Sequence, residues 1–434
     1  MTPHAAPAAL LFVNARQVVT CAGPARARLA PEMSAGVRTD VAVLVRGAVI
    51  EAVGDPRTLC DSVGAADVGL IDCAGGVLTP GFVDSHTHAI FGRPRFEEQE
   101  LRAAGVPYQE IAARGGGIHA SVRDLRARDE DALVALAEPR LRALASSGVT
   151  TVEVKSGYGL TLADELKTLR VIRRLADALP LRLVPTFLGA HEIPLDFRDR
   201  GPAGRREYVE LLVNEMLPAV AREGLARFAD VFCEPGVFTV GESREILLAA
   251  RAHGLGLKLH ADELEVGGGA ELAGELRATS ADHLAAVSAE GIAALAAAGT
   301  VATLLPGTML FLGRRDQAPA RRLLDAGVAV ALATDFNPGT APNTNFALVL
   351  TLAVSQLRLS VAESMIAGTV NGAAALGLAG RVGQLAPGFS ADLALWDVTD
   401  VRELPYWYGA RPCRASWTRG KPCHTHDLAL AFAR

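Results

Sequence analysis

Two periodicities run along the chain. From residue 9 to about residue 73, short apolar runs alternate with polar positions at the two-residue period of half-buried strands. Residues 9–13 form one such run. Residues 41–45 and 49–53 flank Arg46-Gly47, a hairpin signal, and Gly54-Asp55-Pro56 reads as a turn in the same β-rich stretch. From Gly81 the pattern changes. Eight β-branched runs, at 82–88, 150–155, 182–186, 229–233, 256–260, 279–283, 300–305 and 329–335, are each followed by Ala-, Leu-, Arg- and Glu-rich sequence of helical character. Eight such units over roughly 290 residues predict an α/β fold of the (β/α)8 barrel type rather than an open doubly wound sheet. About sixty residues separate the first two strands, the length of a lid or a pocket wall. After about Leu378 the period returns to two, with 382–385 and 391–396 reading as short strands around Pro387-Gly388. Neither β-rich end is large enough for a good core. The two ends are therefore expected to pack together as one small β-sandwich beside the barrel, dividing the chain into 1–76, 77–378 and 379–434.

Composition narrows the function classes. Half of the 434 residues are hydrophobic and 21% are charged, the balance of a globular protein with a large core. Lys and Arg number 43 against 48 Asp and Glu, and no basic run stands out, so nucleic acid is not the expected partner. No stretch has the uninterrupted apolar length of a membrane span, and residues 1–13 lack the basic start of a signal peptide. Six cysteines without a Cys-x-x-Cys pair are sparse for a stapled secreted fold, so reduced thiols and a cytoplasmic location are expected.

Active sites of such barrels lie at the C-terminal ends of the strands. The first predicted strand ends in Asp84-Ser85-His86-Thr87-His88, two histidines on one face. The second ends at Lys155 within Glu153-Val154-Lys155-Ser156-Gly157-Tyr158-Gly159, and the third is soon followed by His191. The fifth ends at His260 with Asp262 and Glu263 beyond, the sixth at Asp282-His283, and the eighth at Asp335 before Asn337, Gly339 and Thr340. Counting His119 in the long first loop, six of the ten histidines fall at or near this rim. A lone histidine at a strand end is commonly a hydrogen-bonded structural residue, and His119, after three glycines, reads as surface. Five imidazoles and several carboxylates on one rim are different, because burying them unpartnered is costly. His86, His88, His260 and Asp335 suffice as ligands for one metal ion, which would bring the pKa of a bound water toward neutrality. Glu263 or His283 is placed to shuttle a proton, and a salt bridge to a loop arginine is the plain alternative for Glu263.

These residues resemble the amidohydrolase superfamily in Pro80-Gly81-Phe82-Val83-Asp84 with His86 and His88, in the strand-five histidine, in the strand-eight aspartate and in the late 387–393 element. That resemblance implies the barrel fold and metal-dependent hydrolysis. Strand four ends in Cys233-Glu234, without the lysine that bridges two metals in binuclear members, which implies one Zn(2+) or Fe(3+) per subunit. Within the superfamily the chain is most similar to the imidazolonepropionase family, over essentially its whole length. The segments that carry this are His86-Thr87-His88 with Phe91 and Arg95, Gly115-Gly116-Gly117-Ile118, 155–160, Gly189-Ala190-His191, His260-Ala261-Asp262-Glu263 and 334–340. The likeness implies hydrolysis of the cyclic amide C–N bond of 4-imidazolone-5-propanoate to N-formimidoyl-L-glutamate, in histidine degradation. It implies substrate contacts from Arg95, Tyr108, Tyr158, His191, Glu263, Asn337, Gly339 and Thr340, and catalytic roles for Glu263, His283 and Asp335.

The residue types suit that chemistry. Arg95 can clamp a carboxylate tail, His191 is read as a donor to the developing oxyanion, and Glu263 or His283 can protonate the leaving nitrogen. Asn337 and the Gly339-Thr340 backbone are expected to meet the carboxylate the product gains. An aminohydrolase of purines or pyrimidines and an inactive scaffold stay open as rivals, and a homodimer is the expected assembly.

Overall fold

In the computed structural model, which describes residues 9–30, 33–63, 68–106, 110, 115–425 and 431–432, eight parallel strands lie side by side in chain order. They are Phe82–Asp84, Val149–Lys155, Arg182–Ala190, Phe228–Cys233, Gly256–Ala261, Ser280–His283, Val301–Leu304 and Val330–Leu332, numbered one to eight below. Strand two is buried along its whole length, as a strand packed on both faces must be. Its alternation is nevertheless visible. Val152 and Val154 join the apolar layer, while Glu153 and Lys155 meet each other and Lys155 reaches Asp230 of strand four across the barrel interior.

Strands one and eight are the two ends of this sheet, and the ring is completed just beyond them. Asp335 N donates to His86 O at 3.0 Å, and His88 N donates to Phe336 O at 2.8 Å. Below, the Asp84 carboxylate accepts from Thr334 N at 2.9 Å and from its hydroxyl at 2.6 Å. Strand one thus ends at Asp84, four residues short of the expected 82–88 run, because its upper part pairs with the segment after strand eight instead of lengthening the ladder.

Both chain ends contribute to two further sheets, as expected of a shared sandwich. One has the order Ala431–Phe432, Val68–Asp72, Ala9–Val13, Ala42–Arg46, Val49–Gly54; the other runs Lys421–Thr425, Cys413–Thr418, Leu393–Trp396, Val77–Pro80, Gln17–Val19, Val37–Arg38. Phe12, Val43, Val45, Leu78, Leu393 and Trp417 meet between them, with Phe12 edge-on to Trp417 at 4.9 Å. Leu11, Ala42 and Leu44 take the opposite face, under Leu59 of the helix Pro56–Ser62. The sequence pattern predicts turn and strand there, yet Asp55 accepts from Thr58 N at 2.8 Å and Pro56 opens the first turn, both helix-start features. Residues 382–385 are not a strand. Their segment is a turn whose Leu385 N donates to Thr20 O. No helix among the described residues is long and apolar enough to cross a membrane.

Val77–Pro80 passes through Gly81 directly into strand one, so one extended segment belongs to both layers. Trp396, paired with Val77, seats the sandwich on the barrel. Its ring lies 5.3 Å from that of Phe82, and its indole N–H donates to Thr79 Oγ1 at 2.9 Å. Gly148 makes room for it, since a Cβ there would fall 2.3 Å from the indole. Trp396→Ala is expected to cost about 3–5 kcal/mol, read from urea unfolding. A loss near zero would mean that this contact does not join the two layers.

Candidate metal centre and cleft

Closure of the barrel sets the first pair of donors. Thr87 turns away to donate to Glu153 O at 2.5 Å, leaving His86 and His88 together, their Nε2 atoms 3.3 Å apart. His260, on strand five, brings its Nε2 to 3.3 Å from that of His88. His86 Nδ1–H donates to Asp282 Oδ2 at 2.7 Å, and His260 Nδ1–H donates to Asp230 Oδ1 at 3.1 Å. Each bond fixes a proton on Nδ1 and presents a bare Nε2 lone pair. Asp335 Oδ1 lies 3.6 Å from the Nε2 of both His86 and His88. Lone pairs facing one another this closely call for a cation between them. Four donors about 2.1 Å from a tetrahedral ion stand about 3.4 Å apart, the spacing found here. The nitrogens of His86, His88 and His260 converge within 4.8 Å, as do those of His86 and His283 with Asp335. Burial, reinforced by neighbouring positive groups, drives the pKa values of His86 and His88 well below the usual imidazole range, so both are neutral. This donor set fits a divalent metal.

Beneath it lies a closed charge network with no exposure to solvent. Lys155 Nζ meets Asp230 Oδ2 at 2.7 Å and Glu153 Oε2 at 2.8 Å, with Asp282 Oδ2 at 3.6 Å. Lys258 Nζ lies 3.0 Å from Glu153 Oε1 and donates to Ser85 O at 3.0 Å. Burial opposes the charge on Lys155, but Asp230, Glu153 and Asp282 together raise its pKa above the ordinary value. Asp230, despite burial, is held well below the carboxylate range by His260 and Lys155.

A cavity of about 560 Å3 is lined by His88, Arg95, Tyr158, His191, Glu263 and Asp335 among others, so most of the residues picked from the sequence share one space. Tyr108 lies outside the described residues. Gly339 is not among the lining residues, and His119 is buried on the helix Ile118–Arg126 rather than at the surface. The Glu263 carboxyl has His283 Nε2 at 3.6 Å. Burial, then the like charges of Asp335 and Glu234, pushes its pKa well above the carboxylate range. His191 Nδ1–H donates to Gly157 O at 2.9 Å, and burial pushes its pKa down to about 3. A neutral ring in that tautomer has an acceptor at Nε2, not the oxyanion donor read from the sequence. Asp262, His283 and Asp335 sit at φ of +49°, +76° and +53°, left-handed backbone at three of the strand ends that build the site.

Arg95 is 7% exposed, and its guanidinium makes one 3.3 Å hydrogen bond to Ser121 Oγ, with Glu98 Oε2 3.4 Å from Nε. Its Nε has no hydrogen-bond partner among the described residues. Gly339 leaves the space it fills, because a Cβ there would stand 1.5 Å from Arg95 Nη2. Asn337 Oδ1 accepts from the backbone N–H groups of Gly339, Thr340 and Ala341 at 2.9, 2.7 and 3.3 Å. The polar groups of this loop are thus used within it, and Asn337 shapes the wall. The same device recurs in Glu165, which accepts from Gly157, Gly159 and Leu160 N, and in Glu234, which accepts from 263–265. Sequence reasoning gave no role to Glu98, Glu165, Glu234 or Lys258. The available signal was the placement of Lys258 and Glu153 on period-two positions of barrel strands, where an inward charge demands a partner.

The amidohydrolase family model matches residues 77–422. An imidazolonepropionase of Symbiobacterium thermophilum is 50% identical over 405 residues, covering 93% of this chain and 94% of that protein. Imidazolonepropionases of Solibacter usitatus and Geobacillus kaustophilus are each 45% identical, covering 94% and 95% of this chain and 97% of their own lengths. Among solved structures, an adenosine deaminase from Xanthomonas campestris with bound zinc superposes with a TM-score of 0.70 at 19% identity, over 97% of this chain and 95% of the other.

Lys155→Met leaves three buried carboxylates around an apolar side chain. Removing one partner from a buried ion pair typically costs about 3–5 kcal/mol, and a loss of that size is expected in urea unfolding of the metal-free protein. An unchanged midpoint would show that the network does not depend on the ammonium.

Proposed function

The chain belongs to the amidohydrolase family and, within it, to the imidazolonepropionases, and from that premise we propose how its residues divide the work. The reaction hydrolyses the ring amide C–N bond of 4-imidazolone-5-propanoate, a step of histidine degradation, and yields N-formimidoyl-L-glutamate. The observation that carries the assignment of roles is a buried, under-bonded guanidinium, Arg95, on the wall of the cavity that also exposes His88, His260 and Asp335. A carboxylate tail would take up the guanidinium N–H groups that Glu98 and Ser121 do not use, while a neutral purine or pyrimidine brings no matching negative charge to them.

His86, His88, His260 and Asp335 hold one metal ion, with His283 close to the same point. The ion, when bound, supplies Lewis acidity toward water and the ring carbonyl. Three imidazoles and one carboxylate suit zinc or iron. Lys155 and Lys258 fill the space beneath His86, which supports one ion per subunit, as does the absence of a lysine at the end of strand four.

Arg95 grips the propionate, and Tyr158 packs beside the ring. His191 Nε2 accepts from a ring N–H. Glu263 takes a proton from the attacking water and delivers it to the ring nitrogen as the C–N bond breaks, with His283 close enough to relay it. Water oxygen ends in the new carboxylate, and the nitrogen leaves as part of the formimidoyl group. A homodimer in the cytoplasm completes the reading, and sedimentation of the purified protein measures the first of these.

Purified protein incubated with 4-imidazolone-5-propanoate is expected to release N-formimidoyl-L-glutamate. Chelation should abolish turnover, and re-addition of zinc or iron should restore it; absence of product from the metal-loaded protein would overturn the assignment. Arg95→Ala is expected to raise KM about 10- to 100-fold, the worth of charge-assisted hydrogen bonds, with kcat much less affected. An unchanged KM would place the tail elsewhere.

A further inference from the structure

Glu263 carries the proton in the scheme above, yet its carboxyl makes no hydrogen bond among the described residues, and the ring nitrogen of His283 stands 3.6 Å away. Its position is therefore set by its backbone. That backbone is held by another residue. Glu234, directly after strand four and 3% exposed, reaches to the loop that follows strand five. Its Oε2 accepts from Glu263 N at 3.0 Å, and its Oε1 accepts from Leu264 N at 3.0 Å and Glu265 N at 2.8 Å. Three successive amides thus point at one carboxylate, a concave arrangement that suits an anion.

The loop is clamped independently at its other end. Asp262 Oδ1 accepts from Gly267 N at 2.8 Å, and its Oδ2 accepts from Ala270 N at 3.0 Å. Asp262 fixes the return of the loop, and Glu234 fixes the stretch that begins at Glu263.

We infer that Glu234 is a positioning residue for the reaction, holding the Glu263 backbone so that its carboxyl stands where the proton must be passed. The inference rests on the proton-carrying reading of Glu263. Glu234 also lines the cavity, and its negative charge adds to burial and to Asp335 in raising the proton affinity of the neighbouring carboxyl, which suits a group that takes a proton from water.

A double-mutant cycle separates this from a general structural role. Glu234→Gln keeps an oxygen for Leu264 and Glu265 N–H but turns an amide NH2 toward the N–H of Glu263. Its kcat is expected to fall about 10- to 100-fold, as for loss of an outer-shell partner at a metal site. KM should stay within about two-fold and metal content should not change. In a Glu263→Gln background the same change should lower kcat less than about two-fold, because the group it positions is gone. Parental kcat in Glu234→Gln, or losses that multiply in the double variant, would overturn the inference while Glu263 keeps its role. Parental turnover in Glu263→Gln would remove the proton-carrying reading, and the inference with it. If Glu234→Gln does not fold, Glu234→Asp, which keeps the charge and shortens its reach, carries the same cycle.

Discussion

A single ammonium group holds the centre of this molecule together. Lys155 meets the carboxylates of Asp230 and Glu153 directly and stands near that of Asp282. Asp230 fixes the ring of His260, and Asp282 fixes that of His86. The two imidazoles come from the segment just after strand one and from strand five, far apart in sequence, yet each proton on Nδ1 is placed by a carboxylate that answers to the same nitrogen. Without the ammonium, like charges would crowd a space closed to water, and the bare Nε2 lone pairs would lose their common aim. Lys258 braces Glu153 from the other side, so the barrel interior is here a charge lattice as much as an apolar core.

Above that lattice, the cleft is built from loops wound round buried acceptors. Glu165 gathers the amides of 157, 159 and 160, Glu234 those of 263–265, Asp262 those of 267, 269 and 270, and Asn337 those of 339–341. Buried turns need partners for their N–H groups. Here one side chain serves several at once, so Tyr158, Glu263 and Thr340 line the cavity from loops with little freedom.

Periodicity made the barrel legible, because eight apolar runs separated by helical sequence leave few ways to fold. The histidines were legible for the same reason, since strand ends are where a barrel collects its chemistry. The short helix Pro56–Ser62 was missed although Asp55 and Pro56 announce it, because the same two residues also open turns. Residues 382–385 carry a strand-like pattern but hydrogen-bond across to Thr20 in a turn. The tautomer of His191 depends on the carbonyl of Gly157, brought near it by the fold. Glu165 and Glu234 look like ordinary surface carboxylates in a one-dimensional reading; only the folded loops turn three amides toward each.

The segment shared by Val77–Pro80 and Phe82–Asp84 sets an order of events. In the finished molecule Val77–Pro80 has Leu393–Trp396 along one edge, a partner the ribosome supplies roughly 300 residues later. The histidines that follow it wait on the segment after strand eight, which also emerges late. A nascent chain therefore carries His86 and His88 without these partners through most of its synthesis. The centre can be complete only once both closures have formed, so its ligands come together after the last barrel strand has been made.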